Sequence, residues 1–259
     1  MNNREIFDFV SDVGVEMIKN GGEIPRAVMT MQEIAKAFNI RNYDVYAIAN
    51  GIFASGIMGN EENYICKIRN VSLSSTNLAK VDAINSLSRN IAEGGVNPEQ
   101  AKERLEKIKI MKEYSTLITT IAMGIGNGAF CYIFKGNLED CFYTFIVGMF
   151  LNLFINFISK KFKMPKIMNN TIFAMFVTIF CCGLTYFNMG DNLGSMITAS
   201  IMPLVPGIPF TNAIRDLVND DYLSGVIRLS DAFLVGLSVG CGVGIVILCY
   251  NIMIGGIAL

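Results

Sequence analysis

The sequence predicts a membrane α-helical bundle of about five spans, one of them broken, preceded by a small α+β cytoplasmic domain. Two observations lead to this fold class. Residues 1–113 contain 14 basic and 15 acidic side chains, whereas residues 114–259 contain only 7 of each. The second stretch also holds long apolar segments, and a helix of about 20 apolar residues crosses the hydrocarbon core of a bilayer. We therefore expect a cytoplasmic domain at 1–113 and a transmembrane domain at 114–259.

The N-terminal part combines helical and β-type patterns. Apolar side chains recur at three- and four-residue steps in several stretches, which is typical of amphipathic helices. Two β-prone runs meet at Asn50-Gly51, a dipeptide typical of hairpins, and 63–69 supplies a third strand. Helices are predicted at 4–20, from Pro25, at 78–93 and, with a capping box, from Asn97.

Composition argues against several classes of function. The net charge of −1 gives no basic face for nucleic acid. The chain contains no histidine, which removes histidine-dependent triads and the commonest metal ligand. Its seven cysteines form no Cys-x-x-Cys motif and lie mostly in or beside apolar runs, so we interpret them as packing residues. We expect no cofactor, no metal site, no nucleic-acid partner and no enzymatic activity.

The charges between the apolar segments predict their orientation. Lysines cluster between the second and third segments, and Arg215 and Arg228 lie between the fourth and fifth. By the positive-inside rule these connections and the N-terminal domain are cytoplasmic, and the C-terminus lies outside the cell (inner or plasma) membrane. The predicted spans are 114–134, 138–158, 170–187, 192–210 and 232–257.

Residues 203–217 read PLVPGIPFTNAIRDL and are the segment most suggestive of chemistry. Three prolines within seven residues interrupt a helix, and broken helices in transporters carry substrate sites. A half-helix starting near Pro209 would place Asn212 and Arg215 in its first turns. The alternative is that the prolines end the fourth span and 212–216 form a solvated surface helix. The candidate pathway residues are Pro203, Pro206, Gly207, Pro209, Thr211, Asn212, Arg215 and Asp216.

Five further charged residues are weaker candidates for proton coupling or gating. Glu23 and Arg26 flank the start of a helix, where a capping and salt-bridge pair is the simpler interpretation. Asp231 opens the predicted last span, where it serves either as an N-cap or as a proton carrier. The five residues are Asp191, Asp231, Arg228, Glu23 and Arg26.

Four motifs resemble the threonine/serine exporter family, and they follow in the same order over nearly the whole chain. They are GGEIPR at 21–26, NGIFASG at 50–56, LAKVDAINSLSRNIAEGG at 78–95 and PLVPGIPFTNAIRDLVNDDYLSGVIRLSDA at 203–232. The last motif, with its prolines followed by TNAIRD, is the most specific of the four.

The resemblance implies a secondary exporter of small polar metabolites, threonine and serine or a dicarboxylate such as succinate, driven by the proton gradient. Fused members carry about ten spans, so the chain resembles the larger subunit of a split exporter. A small five-span membrane subunit would supply the second half, and a homo-oligomer is compatible with this. Arg215 would hold a substrate carboxylate. Thr211 and Asn212 would bond the amino or hydroxyl group.

The alternative function is a membrane-anchored sensor or enzyme that acts through its N-terminal domain. As an enzyme it would use Glu23, Asp82 and the polar run at 72–77. The absence of histidine makes this alternative the weaker one. The partners expected on the favoured hypothesis are a small-molecule substrate and the lipid bilayer.

Overall fold

The computed structural model of the protein describes residues 1–59, 63–72, 76–111, 114–162 and 164–254. The middle of the 72–77 run and the end of the predicted last span lie outside these residues. The described residues are mostly helical, with one small sheet. In chain order the elements are α1 (Asn3–Lys19), α2 (Ile24–Ala37), β1 (Ile40–Ile48), β2 (Gly51–Met58), β3 (Ile65–Asn70), α3 (Leu78–Ala92), α4 (Pro98–Lys109), α5 (Thr116–Ile133), α6 (Leu138–Lys161), α7 (Lys166–Tyr186), α8 (Leu193–Ile201), a 3-10 turn (Met202–Leu204), α9 (Gly207–Val218) and α10 (Tyr222–Ile254).

One compact unit comprises Met1–Lys112 together with Ile208–Ser230. Its sheet is antiparallel in the order β1-β2-β3, and α1 and α2 pack against it. The core takes apolar side chains from both helices and from the sheet, including Phe7, Met31 and Ile52. Ile227 of α10 packs against this same core, so the later segment belongs to the unit.

The hairpin turns one residue earlier than the sequence predicts. Ile48 pairs with Gly51, so Ala49 and Asn50 form the connection and Gly51 is already the first residue of β2. Ala49 is fully buried, and Gly51 pairs onward with Asn70 of β3. Burial of Ala49 and the pairing of Gly51 on both sides thus place the turn at Ala49-Asn50, one residue before the predicted Asn50-Gly51.

The capping box predicted at the start of α4 is confirmed. Gln100 N donates to Asn97 Oδ1 at 2.9 Å, and Asn97 N donates to Gln100 Oε1 at 3.4 Å. Pro98 occupies the first helical position, where its missing N–H has no intrahelical partner to lose. The local sequence therefore determines where this helix begins.

The second compact unit comprises Glu113–Gly207 and Asp231–Leu259. Its core is formed by α5 to α8 and α10, with Leu151, Val177 and Met196 fully buried. By length and composition, four described helices are apolar enough to cross a membrane, namely α5, α6, α7 and α10. A fifth candidate is the pair Leu193–Leu204 and Gly207–Val218, which is bent by 63° at its break. A mostly helical protein with four or five candidate spans and a small sheet is thus confirmed.

Candidate functional site

The proline-rich segment separates α8 from α9. Pro203 lies in the 3-10 turn, Pro206 precedes the first residue of α9, and Pro209 lies in the first turn of that helix. A proline in a first turn breaks no intrahelical hydrogen bond, because the first four N–H groups have no partner within the helix. The three prolines therefore interrupt the segment and let a new helix begin at once.

Arg215 lies at the C-terminal end of α9, whereas the sequence predicted it in the first turns of a half-helix. A start near Pro209 would have placed Asn212 and Arg215 in the first turns. Because the segment after Pro206 is helical at once, α9 begins at Gly207, and Arg215 lies in its last turn. A cation is favoured there, since the partial charge at a helix C-terminus is negative.

Asp216 and Arg228 form a buried ion pair within the first unit. Arg228 Nε lies 3.4 Å from Asp216 Oδ2, and the two side chains are 5% and 1% exposed. Neither of these two atoms has a hydrogen-bond partner of ordinary geometry among the described residues. Both charges have therefore left water, while the contact between them remains loose, an arrangement that leaves part of the desolvation uncompensated.

The same two helices hold the double-glycine loop, which we define as residues 21–23. Asn212 Nδ2 donates to Gly21 O at 3.2 Å, and Arg228 Nη2 donates to Gly22 O at 3.1 Å. Asn212 is buried like Asp216, so the solvated surface helix considered for residues 212–216 is wrong for both. Two motifs that lie about 190 residues apart in the sequence thus meet in one unit.

Glu23 and Arg26 do not form the capping and salt-bridge pair considered from the sequence. Glu23 precedes α2 without a side-chain cap bond, and its carboxylate instead accepts from Arg215 Nη1. Arg26 Nε donates to Asn85 Oδ1 of α3 at 3.2 Å. The Glu23 and Arg215 side chains are 38% and 47% exposed, so this ion pair lies at the solvent-accessible edge of the site.

The corner between α9 and α10 brings Arg228 next to Asp216. Asp220 adopts a left-handed φ of 62°, and Asp221 Oδ1 accepts from Ser224 N at 3.3 Å at the start of α10. A Cβ on Gly225 would lie 2.6 Å from Leu217 Cγ, so the two helices approach closely there. Ser224 is fully buried, and its Oγ has no hydrogen-bond partner among the described residues. Ser224 is not among the residues predicted from the sequence, although it lies one turn before Arg228 on the same helix face.

Asp231 is not the N-cap of the last helix, because α10 begins at Tyr222 and continues without interruption past it. The side chain of Asp231 accepts from Lys166 Nζ at 2.7 Å, and both belong to the second unit. The pair is partly exposed, with 52% of the Lys166 side chain and 32% of the Asp231 side chain accessible.

Asp191 is an exposed residue whose Oδ2 accepts from Asn137 Nδ2 at 2.9 Å. Beside it lies Asp140, a fully buried carboxylate that the sequence analysis missed. Asp140 accepts from three backbone N–H groups, those of Asn137 at 2.9 Å, Asp191 at 2.8 Å and Asn192 at 3.2 Å. The signal was present in the sequence as an Asn-x-x-Asp capping box at the start of the predicted span 138–158.

The predicted site residues thus divide between the two units. The second unit holds Pro203, Pro206, Gly207, Asp191 and Asp231. The first unit brings the double-glycine loop together with Asn212, Arg215, Asp216 and Arg228, while Pro209 and Thr211 lie in the same α9. The described residues contain no group of three or more side chains suited to holding a metal ion.

Comparison with known proteins gives a consistent result. The chain matches the family model described as "Putative threonine/serine exporter" over residues 8–250. It is 21% identical over 249 residues to a protein of Mycobacterium tuberculosis (strain ATCC 25618 / H37Rv) named "Probable threonine/serine exporter". The alignment covers 95% of this chain and 46% of that protein, so the chain spans about half the length of the curated relative.

No solved structure matches the chain. The family match includes both the double-glycine loop and the helices that hold it. Together with the four or five candidate spans, it identifies a multi-pass membrane protein. The chain belongs to the threonine/serine exporter family.

Proposed function

We propose that this chain is a subunit of a secondary transporter that exports small polar metabolites and is driven by the proton gradient. The exported solutes would be amino acids such as threonine and serine, or a dicarboxylate such as succinate. One observation carries the proposal, namely the buried opposite charges of Asp216 and Arg228 on the helices that follow the proline break. Buried charges beside interrupted membrane helices mark substrate and ion pathways.

The geometry supports distinct roles for these two side chains. An amino acid carries one carboxylate and one ammonium group, and a guanidinium presents a planar fork that matches a carboxylate. Arg228 would bind the carboxylate of the solute and Asp216 its ammonium, so binding would replace one loose ion pair by two. Arg215 would attract the carboxylate at the exposed edge of the site. Asn212 and Thr211 would hydrogen-bond the remaining polar group.

The double-glycine loop is suited to act as a gate. Its carbonyl and carboxylate groups bond the same side chains that would bind the solute. A solute that competes for Arg215 and Arg228 would release the loop, and Arg26 would keep the start of α2 attached to α3 meanwhile. Asp216 is our candidate proton carrier, because its buried Oδ2 has no hydrogen-bond partner of ordinary geometry. Asp191 and Asp231 are weaker candidates.

The proposal includes a topology and a partner. The N-terminal domain would lie in the cytoplasm and the C-terminus outside the cell membrane, as the positive-inside rule predicts. A small five-span subunit would supply the second half, and such pairs would be free to form a homo-oligomer. The 46% coverage of the longer relative supports a missing half. An odd number of spans would place that half in inverted orientation, as in many secondary transporters.

Efflux from intact cells tests the proposal. The gene would be deleted in its native host, where any second subunit is present, and the strain complemented with the unmodified chain. Cells preloaded with labelled threonine or succinate should lose at least one solute faster when the unmodified chain is present. Dissipation of the proton gradient should abolish the difference. Equal efflux with and without the chain, for both solutes, would contradict the function.

A further inference from the structure

A line of polar side chains runs along the contact between α5 and α6. We call this line the α5–α6 seam, and its members belong to the second unit. The two helices are joined by a short connection, and a Cβ on Gly148 of α6 would lie 2.7 Å from Asn127 Nδ2 of α5. The seam residues are Thr120, Asn127 and Cys131 on α5, and Thr144, Gly148 and Asn152 on α6.

One end of the seam is held by hydrogen bonds between its side chains. Asn152 Nδ2 donates to Thr120 Oγ1 at 2.7 Å and lies 3.2 Å from Thr119 Oγ1. Thr120 Oγ1 in turn donates to Thr116 O at 2.7 Å. Hydrogen bonds of this kind fasten membrane helices together, and they explain why polar residues are tolerated at this end.

The middle of the seam differs. Asn127 is fully buried, and neither its Nδ2 nor its Oδ1 has a hydrogen-bond partner among the described residues. Thr144 is also fully buried; its Oγ1 lies near the Cys131 thiol, a weak hydrogen-bonding group, and forms no bond of ordinary geometry. Buried polar groups without partners are costly, above all inside a bilayer. Their presence indicates a polar partner that this chain itself does not provide.

We infer that Asn127 and Thr144 form a second binding site on the export pathway, within the second unit alone, which takes the uncharged, hydrogen-bonding part of the exported solute, such as a hydroxyl group. The inference rests on the proposed function and deepens it. An amide and a hydroxyl each donate and accept hydrogen bonds without carrying charge, so they suit a hydroxyl better than a second carboxylate. Because Gly148 packs against the Asn127 amide, the site is closed in this structure. Solute reaches it when α5 and α6 move apart.

Thermal unfolding of the full chain, purified with its second half where one is present, tests binding directly. Threonine and valine are the probes, because they differ only by a hydroxyl in place of a methyl group. Threonine should raise the unfolding temperature of the unmodified protein more than valine does, since a ligand that binds only the native state stabilises it. In Asn127→Leu and Thr144→Val this difference between the probes should disappear.

Matched variants at the bonded end of the seam separate binding from packing. Thr120→Val and Asn152→Leu should lower the unfolding temperature yet retain the preference for threonine, because they remove formed hydrogen bonds. Asn127→Leu and Thr144→Val should leave the unfolding temperature unchanged or higher, because they remove unpaired groups. A preference for threonine that survives in Asn127→Leu and Thr144→Val, or that is missing from the unmodified protein, would overturn the inference.

Efflux distinguishes failure of this site from failure of the proposed function. Threonine efflux should fall at least ~10-fold in Thr144→Val, the change expected when about 1.4 kcal/mol of interaction is lost. Export of threonine by the unmodified chain that continues unchanged in Thr144→Val would reject the site and leave the function standing. Export of succinate without export of threonine would also reject the site. No export of either solute by the unmodified chain would reject the function itself.

Discussion

Two buried carboxylates, one in each unit, show how differently the same group can be held. Asp140 accepts three backbone N–H groups at 2.8–3.2 Å at the start of α6. Asp216 faces Arg228 at 3.4 Å, and its Oδ2 has no hydrogen bond of ordinary geometry. Both side chains are almost fully inaccessible. Burial alone therefore does not distinguish a structural carboxylate from one that is available to a ligand.

The two carboxylates differ in how readily their hydrogen-bond and ion-pair partners can be exchanged. Backbone donors are fixed by the fold, so Asp140 cannot change partners without unwinding the start of α6 or the turn at residues 191–192. Arg228 is a side chain that already bonds Gly22 O through Nη2, and it can exchange partners by rotation. We therefore interpret Asp140 as a structural residue that fixes the start of α6. We interpret Asp216 as part of a binding site whose ion pair can exchange partners.

The largest effect is expected for Arg228→Ala. Removal of one partner from a buried ion pair leaves the other charge uncompensated, which typically costs about 3–5 kcal/mol of unfolding free energy. The substitution also leaves Gly22 O without its donor. Denaturant unfolding of the detergent-purified chain measures the loss. The double variant Asp216→Leu/Arg228→Met should recover most of the stability without recovering efflux, and recovery of both would contradict a role in solute binding.

A smaller loss of stability is expected for Asp140→Ala. Three N–H groups lose their acceptor, but they belong to exposed residues where water can replace part of the lost bonds, so we expect a total cost of about 1–3 kcal/mol of unfolding free energy. Efflux per folded molecule should stay close to that of the unmodified chain, because Asp140 only fixes the ends of two helices. Asp140→Asn, which keeps one oxygen acceptor, is the matched control and should be milder. A loss of efflux from folded Asp140→Ala would remove the distinction between the two carboxylates.

The smallest effect on stability is expected at the Glu23–Arg215 pair. Exposed ion pairs contribute about 0–1 kcal/mol, so Glu23→Gln and Arg215→Gln should unfold almost like the unmodified protein. Arg215→Gln should nevertheless lower efflux. If the pair only closes the gate, the charge swap Glu23→Arg/Arg215→Glu should restore that efflux. If Arg215 also attracts the solute carboxylate, as we propose, efflux should stay low in the swap. Glu103→Gln, which breaks an exposed pair with Lys107 within α4, serves as the control and should leave efflux unchanged.

Local patterns in the sequence predicted much of the fold. Apolar periodicity, the capping box at Asn97 and the three prolines lead directly to α1, α4 and the interruption before α9. These features depend on residues a few positions apart. The hairpin was misplaced by one residue because burial of Ala49 depends on tertiary packing, which overrides the preference of the Asn-Gly dipeptide for the turn itself.

The contacts of the candidate site were beyond such reasoning. The sequence separations between Asn212 and Gly21 and between Arg228 and Gly22 are 191 and 206 residues, and no periodicity links positions so far apart. The start of α10 was placed too late because Ser224, Arg228 and Ser230 read as a polar connection. In the structure Gly225 of this stretch packs against Leu217 of α9, and Arg228 donates to Gly22 O of the double-glycine loop. A polar stretch of helix whose packing partner lies far away in the sequence thus has the sequence pattern of a loop.

Efflux of threonine per folded molecule in Asp216→Asn and Asp140→Asn tests the central claim most directly. Both substitutions replace a buried carboxylate by the isosteric amide. They differ only in the role of that carboxylate, which is structural for Asp140 and solute binding for Asp216. We predict that Asp216→Asn lowers efflux at least ~10-fold, equivalent to about 1.4 kcal/mol at the transport step, while Asp140→Asn keeps most of it. Equal efflux in the two variants, or a larger loss in Asp140→Asn, would contradict the assignment of Asp216 to the solute site.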